Sequence, residues 1–288
     1  GTSSAPTLAG GSYNSIIGRR AGYSLTSGEY NSALGNAALY SNQTGFGNVA
    51  MGSHAGYSFV GSGGVFLGYE AGRGVSSADC VFIGYQSGKR ALGTGNVGIG
   101  YTALYGADST AANNTGTSNT AIGQNALRWF SKTIGSTAVG AEAGYYTTGS
   151  YNTFVGYKAG HGGNTSAPYN SGPNNTAIGY QALLNFTTAE DNTAVGMFAG
   201  RLLTTGHSNT ILGNGAGDTM TTTSNTVLIG INAGTAINHT DADGTVAIGS
   251  QALQDLTSGQ NSVAVGYRAL ADLTTGDYNT AVGYGALD

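Results

Sequence analysis

Apolar and polar positions along the chain repeat in one short phrase rather than in long helical stretches. The phrase is a Val, Thr or Ser, a small or aromatic residue, an aliphatic residue and a glycine, as in Thr176-Ala-Ile-Gly179 and Val263-Ala-Val-Gly266. With the glycine as anchor it recurs at Gly18, Gly35, Gly52, Gly68, Gly84, Gly100, Gly123, Gly140, Gly156, Gly179, Gly196, Gly213, Gly230, Gly249, Gly266 and Gly283. Successive anchors lie 16 or 17 residues apart, except for steps of 23 after Gly100, 23 after Gly156 and 19 after Gly230. An aliphatic residue precedes every anchor, from Ile17 to Val282. The position two before is mostly Ala, with Ile16, Phe66, Phe82, Phe154, Ile211 and Leu228 as larger exceptions. Residues two apart share a face of a strand. The phrase therefore predicts a short strand with its Val/Thr and aliphatic columns on one face and its Ala/Phe column on the other. Neither face is polar, which predicts cover on both sides.

Beyond the anchor, Ala stands three residues on in every copy except the one with Ser87, and the next position holds only Gly or Leu. Such a restricted position reads as one facing a neighbouring backbone or subunit. It marks Ala182, Leu183, Ala199, Gly200, Ala269 and Leu270 as candidate assembly residues. An apolar residue often follows seven after the anchor, then a turn such as Leu256-Thr-Ser-Gly259. The period is too short for a helix, and the anchors would break one. Each period is thus expected to be a coil of an all-β, parallel β-solenoid (a β-roll) with two short strands. Sixteen coils at about 4.8 Å each predict a rod roughly 75–80 Å long. A coil buries its apolar face only against neighbouring coils, so the repeat overrides length as a guide to domain count. It gives a lead-in over residues 1–13 and one solenoid domain over 14–288.

Asn lies four before the anchor in ten copies, including Asn31, Asn175, Asn192 and Asn209, and stacked amides can bond up the stack. Cys80 occupies the same file, which makes it a buried ladder-position thiol. Three late copies, beginning at Asn225, Gly244 and Asn261, put Thr or Ser where Asn stood, and a small register adjustment is expected there. The extra residues cluster in one turn, near 105–118, 161–174 and 235–244. In repeat proteins insertions at one address often mark the binding side.

Composition narrows the function more than the fold. Only 24 of 288 residues are charged, with a formal net charge of −4 and no run of basic residues, so no nucleic-acid partner is expected. No apolar run is long enough for a membrane helix. The start, Gly1-Thr-Ser-Ser-Ala-Pro6, has neither the basic region nor the apolar core of a signal peptide. One cysteine excludes an internal disulfide framework.

The motif Asn261-Ser-Val-Ala-Val-Gly266 resembles the Asn-Ser-Val-Ala-Ile-Gly motif in the head domains of trimeric autotransporter adhesins, the YadA-like β-roll. The longer unit Asn175-Thr-Ala-Ile-Gly-Tyr-Gln-Ala-Leu183 is similar to repeats of bacteriophage tail fibres. The resemblance covers residues 14–287. It implies a homotrimer whose rolls share an axis, with the Ala/Gly-rich columns allowing close approach. The adhesin coil is shorter than this one, so the cross-section must differ.

Catalysis finds little support. His54, His161, His207 and His239 fall in different columns and do not converge as metal ligands do. No file of carboxylates suits glycoside cleavage, with Asp241 and Asp243 the closest pair. No cofactor, metal or enzyme activity is expected. Eighteen tyrosines are more telling, in files directly after the anchor (Tyr69, Tyr85, Tyr101) and five before it (Tyr13, Tyr30). Their rings offer apolar platforms with polar tips, suited to sugar faces or to packing along the fibre and between subunits. Tyr105, Trp129, His161 and Tyr169, in or beside the insertions, are the candidate glycan-binding residues. The expectation is an extracellular structural and adhesive fibre, the shaft or receptor-binding part of a trimeric tail fibre or adhesin on a cell surface or virion, contacting cell-surface glycans. The alternative is a subunit that stacks head to tail into a filament. An ice-binding array built on the Thr120–Thr210 file is a third, weaker reading.

Overall fold

A computed structural model describes residues 10–106, 114–163 and 170–288. It is an all-β parallel solenoid of about 15 turns at a spacing of about 17 residues, with no α-helix among the described residues. The strands are β1 (Ser15–Ile17), β2 (Ser32–Leu34), β3 (Val49–Met51), β4 (Val65–Leu67), β5 (Val81–Ile83), β6 (Val97–Ile99), β7 (Thr120–Ile122), β8 (Thr137–Val139), β9 (Thr153–Val155), β10 (Thr176–Ile178), β11 (Thr193–Val195), β12 (Thr210–Leu212), β13 (Val227–Ile229), β14 (Val246–Ile248), β15 (Val263–Val265) and β16 (Thr280–Val282). The chain packs as two compact units, Gly1–Ala141 with β1–β8 and Glu142–Asp288 with β9–β16. In each, strands follow one another in chain order with equivalent positions paired, as in Val65↔Val81 and Thr176↔Thr193.

Where another coil follows, the strand stops at its anchor for a steric reason, as Gly179 shows. Gly179 has φ +137°, and a Cβ there would sit 2.4 Å from the carbonyl oxygen of Gly196. The next coil passes too close for any side chain. Among the described residues no second strand follows the anchor, contrary to the expectation of two per coil, and only the isolated parallel bridges Thr147↔Asn170 and Ser258↔Thr275 occur there. The residues two and four after the anchor are left-handed, as in Gln181 (φ 56°) and Leu183 (φ 48°), which no extended strand admits. Hydrogen bonding between coils continues nonetheless. Gln181 N–H donates to Tyr157 in the coil before at 2.9 Å, and Leu183 N–H to Ala199 in the coil after at 3.0 Å. A turn satisfied in this way needs no strand geometry.

The Asn file forms the expected ladder, and it runs one way. In the second unit the Asn192 N–H and Nδ2 both donate to Asn175 Oδ1 at 3.1 Å, and those of Asn209 to Asn192 Oδ1 at 3.0 and 2.9 Å. Nδ2 of Asn192 also reaches the Gly206 carbonyl at 3.0 Å. Thr226 takes the next rung, with its N–H and Oγ1 donating to Asn209 Oδ1 at 3.0 and 2.8 Å. No register adjustment accompanies this change. Thr210 pairs with Val227 and Val227 with Val246, while Asn225 and Asn261 occupy the left-handed position that Tyr13 and Tyr30 hold in early coils. In the first unit Cys80 is buried in the same file, its Sγ 3.4 Å from the Gly93 carbonyl.

The Ala/Phe column points into the coil and is buried from β2 onward, with Ile16 of β1 half-buried, whereas the Val/Thr and aliphatic columns face outward. Ile17 is 65% exposed and Met51 45%. Of the two strand faces expected to be covered, the one bearing the Val/Thr and aliphatic columns is therefore open on this chain.

The Gly-or-Leu position also points inward. Leu183 and Leu270 are buried beside Ala182, Ala199, Ala269 and Gly200. All six candidate assembly residues fill the chain's own interior rather than a surface open to a second chain. What restricts the position is volume. Each Leu coil carries Ala or Gly two before its anchor, as in Ala177 with Leu183 and Gly98 with Leu104. Each coil with a large residue there carries Gly instead. A Cβ on Gly160 would lie 2.2 Å from Phe154 Cε1, and one on Gly72 2.2 Å from Phe66 Cδ1. Where both positions are small the next coil fills the space, with Phe66 against Gly56 and Ile211 against Gly200. Interiors tolerate neither voids nor overlap, and here two columns share one volume.

Candidate functional site

The turn that follows the inward Gly or Leu presents its next residue outward, five after the anchor. In the first unit this file reads Tyr23, Tyr40, Tyr57, Arg73, Lys89, Tyr105 and Arg128, so every member is aromatic or cationic. Coil-on-coil spacing stacks them. Tyr23 and Tyr40 rings lie 5.0 Å apart at 4°, and Tyr40 and Tyr57 4.8 Å apart at 11°. The Arg73 guanidinium then sits 5.7 Å from the Tyr57 ring. Lys89, Arg90 and Arg128 surround the Tyr105 ring at 5.8, 5.5 and 5.6 Å. Arg128 also lies 5.1 Å from the ring of Trp129. Each contact is within the range of a cation–π interaction. Tyr57, Ser58, Arg73, Gly74, Lys89 and Arg90 line a cleft of about 370 Å³.

One carboxylate organises the cations. Glu70 is buried, held left-handed two after its anchor at φ 53°. It pairs with Lys89 at 2.7 Å and with Arg73, and accepts from Gln86 Nε2 at 2.8 Å. Burial alone would raise its pKa. The hydrogen bonds from Lys89, Gln86 and Arg73 outweigh burial and hold it down at about 2. Glu70 is thus a fixed anion fastening two cations to the turn.

Of the four candidate glycan residues, the fold brings Tyr105 and Trp129 together through Arg128. Both are half-buried rather than displayed freely. His161 belongs to the second unit, in the same file as Tyr145. The two rings stack at 5.2 Å and 10°, Tyr146 meets His161 edge-on at 5.3 Å, and Glu142 Oε2 lies 3.6 Å from Nε2. Burial pushes the His161 pKa below its ordinary value. Tyr169, like the middles of the first two insertions, lies outside the described residues. In the third insertion Asp241 and Asp243 diverge in role. Asp241 pairs with His239 at 3.1 Å, while Asp243 accepts the Ser224 N–H at 2.8 Å. Among the described residues no three His, Cys, Asp or Glu side chains gather into a metal-holding group.

Sequence reasoning missed Arg73, Lys89, Arg90 and Arg128. The signal for Arg73, Lys89 and Arg128 was the column itself, since the fifth position after each anchor mixes Tyr with Arg and Lys in the first seven coils and becomes mixed later, with Leu184, Arg201, Asp218 and Thr235; Arg90 stands one residue beyond it. The tyrosines that directly follow the anchor also stack, Tyr69 on Tyr85 at 5.4 Å and Tyr85 on Tyr101 at 5.1 Å. They lie beside the outward aliphatic column and make that sheet face a band of aliphatic and ring carbons. Comparison with family models, with curated proteins and with solved structures gives no match for this chain.

Proposed function

We propose that the chain is a structural and adhesive element of an extracellular fibre that contacts cell-surface glycans. The observation that carries the reading is the outward file of stacked rings and cations ending at Tyr105, Arg128 and Trp129. Aromatic faces held rigidly on a hydrogen-bonded scaffold suit the apolar faces of sugars, and little side-chain entropy is left to lose on binding. The outward aliphatic and tyrosine band supports a second part of the proposal, association of like chains into a trimer. Exposed apolar stripes of that kind mark contact surfaces.

Binding of the intact protein to an array of cell-surface glycans tests the first part. Trp129→Ala and Tyr105→Ala are each expected to weaken the strongest signals at least about tenfold. An array silent for the intact protein, with cell attachment unchanged in both variants, removes the adhesive reading. Light scattering over a range of concentrations tests the second part. A fixed trimer mass supports it, a monomer refutes it, and mass that grows into fibres favours head-to-tail stacking instead.

A further inference from the structure

The cations around Tyr105 narrow the ligand class, and this step rests on the glycan-binding reading above. We infer that the edge formed by Arg73, Lys89, Arg90, Tyr105, Arg128 and Trp129 selects acidic saccharides, oligosaccharides that carry carboxylate or sulfate groups. The chain has ten Lys and Arg residues, and four of them stand here on three of four consecutive turns of a protein whose formal charge is −4. Neutral sugars need rings and hydrogen-bonding groups, and clustered cations would only repel one another. Glu70 engages Arg73 and Lys89 and offsets a single charge. Among the described residues Arg90 has no ion pair, and it sits 5.5 Å from the Tyr105 ring, with Arg128 at 5.6 Å. The two guanidinium groups come from the coils on either side of that ring, so each is about one coil rise, some 4.8 Å, away along the stack. A sugar lying on Tyr105 or Trp129 would bring an acidic substituent to a planar guanidinium, the group best matched to a two-oxygen anion. The same coil spacing lets linked acidic sugars meet successive cations.

Calorimetry with four probes on the full chain tests this. The probes are a linear uronate oligosaccharide, its methyl ester as a neutral analogue of equal length, a sulfated oligosaccharide and a thymidine oligonucleotide. The uronate or the sulfated probe is expected to bind at least about tenfold more tightly than the ester. Arg90→Gln and Arg128→Gln should each remove about tenfold of that preference, and about 0.5 M salt should remove most of it. Neither variant touches Glu70, and an unchanged melting temperature confirms folding. Whichever acidic probe binds names the substituent. Equal binding of the ester overturns the inference while leaving glycan binding in place. Oligonucleotide binding as tight as either acidic saccharide overturns it by showing a general polyanion surface. No binding to any saccharide probe overturns it too, and the array with intact protein then decides glycan binding separately. Tight acidic binding unaffected by both variants also refutes this placement.

Discussion

If two columns share one interior volume, exchanging their occupants within a coil should nearly restore what each single change destroys. Phe154 and Gly160 offer the cleanest test. Phe154→Ala empties a fully buried ring position that also contacts Phe186 at 5.6 Å between centroids. Phe-to-Ala substitutions in cores cost about 3–5 kcal/mol. Gly160→Leu places a Cβ 2.2 Å from Phe154 Cε1 and 2.3 Å from Cδ1 at a backbone φ of +55°. Overpacking costs about 1–3 kcal/mol and the left-handed conformation about 1–2 kcal/mol more. The double variant has the Ala-and-Leu occupancy of the following coil, Ala177 with Leu183, where Leu holds φ 48° with the same handedness. Its cost should fall to about 2–3 kcal/mol, the backbone term plus imperfect shape. The coupling energy is then favourable by about 3 kcal/mol or more, at the upper end for residues in contact. Urea unfolding followed by circular dichroism gives the four stabilities. Because repeat arrays can lose two-state behaviour, exchange of the Gly160 amide, which donates to Ala182 at 2.9 Å, supplies a local readout. Additivity within about 0.5 kcal/mol, or a double variant no more stable than either single one, would refute the shared-volume account.

Other expectations follow from the ladder and the titrating groups. Asn192→Ala removes the acceptor of the Asn209 N–H and the donor to the Gly206 carbonyl, and should cost about 3–5 kcal/mol by urea midpoint. Asn192→Thr should cost about half as much, because Thr226 already serves that file. Glu70, held at about 2 against an ordinary 4.5, stabilises the fold above pH 4.5 and progressively less as pH falls toward 2. Its contribution at neutral pH is on the order of 3 kcal/mol, and thermal melts of Glu70→Gln should lack that acid-dependent step. His161 has a depressed pKa in the fold, so the unfolded chain takes up its proton first and stability declines as pH drops below 6.5. His161→Gln should flatten the melting temperature between about pH 7 and pH 5; an unchanged slope would rule out His161 as its source. Burial raises the Cys80 thiol pKa, so a thiol reagent should label it only on unfolding, and rapid labelling of native protein would contradict its place in the ladder.

The strands and ladder were legible because they use ordinary signals. Alternation around Ala177 or Phe154 gives the pleat, and an amide file such as Asn175-Asn192-Asn209 has only one economical use when stacked. The second half of the coil was not legible, because it depends on left-handed non-glycine residues. Leu at φ 48–53°, as in Leu183 and Leu270, carries no mark in a sequence, since the backbone cost is met by burial that depends on the whole coil. The Gly-or-Leu column was visible, yet its meaning required reading it against the column six residues earlier. The functional edge was hidden for a related reason. Following tyrosine as a residue type leads to the files beside the strand and misses that Tyr57, Arg73 and Lys89 share one outward address. Only coil geometry makes a ring and a cation equivalent occupants of it.

The shared interior volume also bears on how the repeat number can change over generations. A coil such as that of Ala247 and Leu253, set between coils filled by Leu228 and by Leu270, balances its own volume, so duplication or loss of its coding segment leaves both flanking seams properly filled. The coils of Gly56 and Gly200 lack that independence, because Phe66 and Ile211 of the following coils complete them. Copying slippage that separates either pair leaves a cavity, whereas slippage that carries both coils does not. Length is therefore a freely inherited variable along most of the repeat, except where a coil small at both positions, as at Gly56 and Gly200, makes the unit of inheritance a doublet.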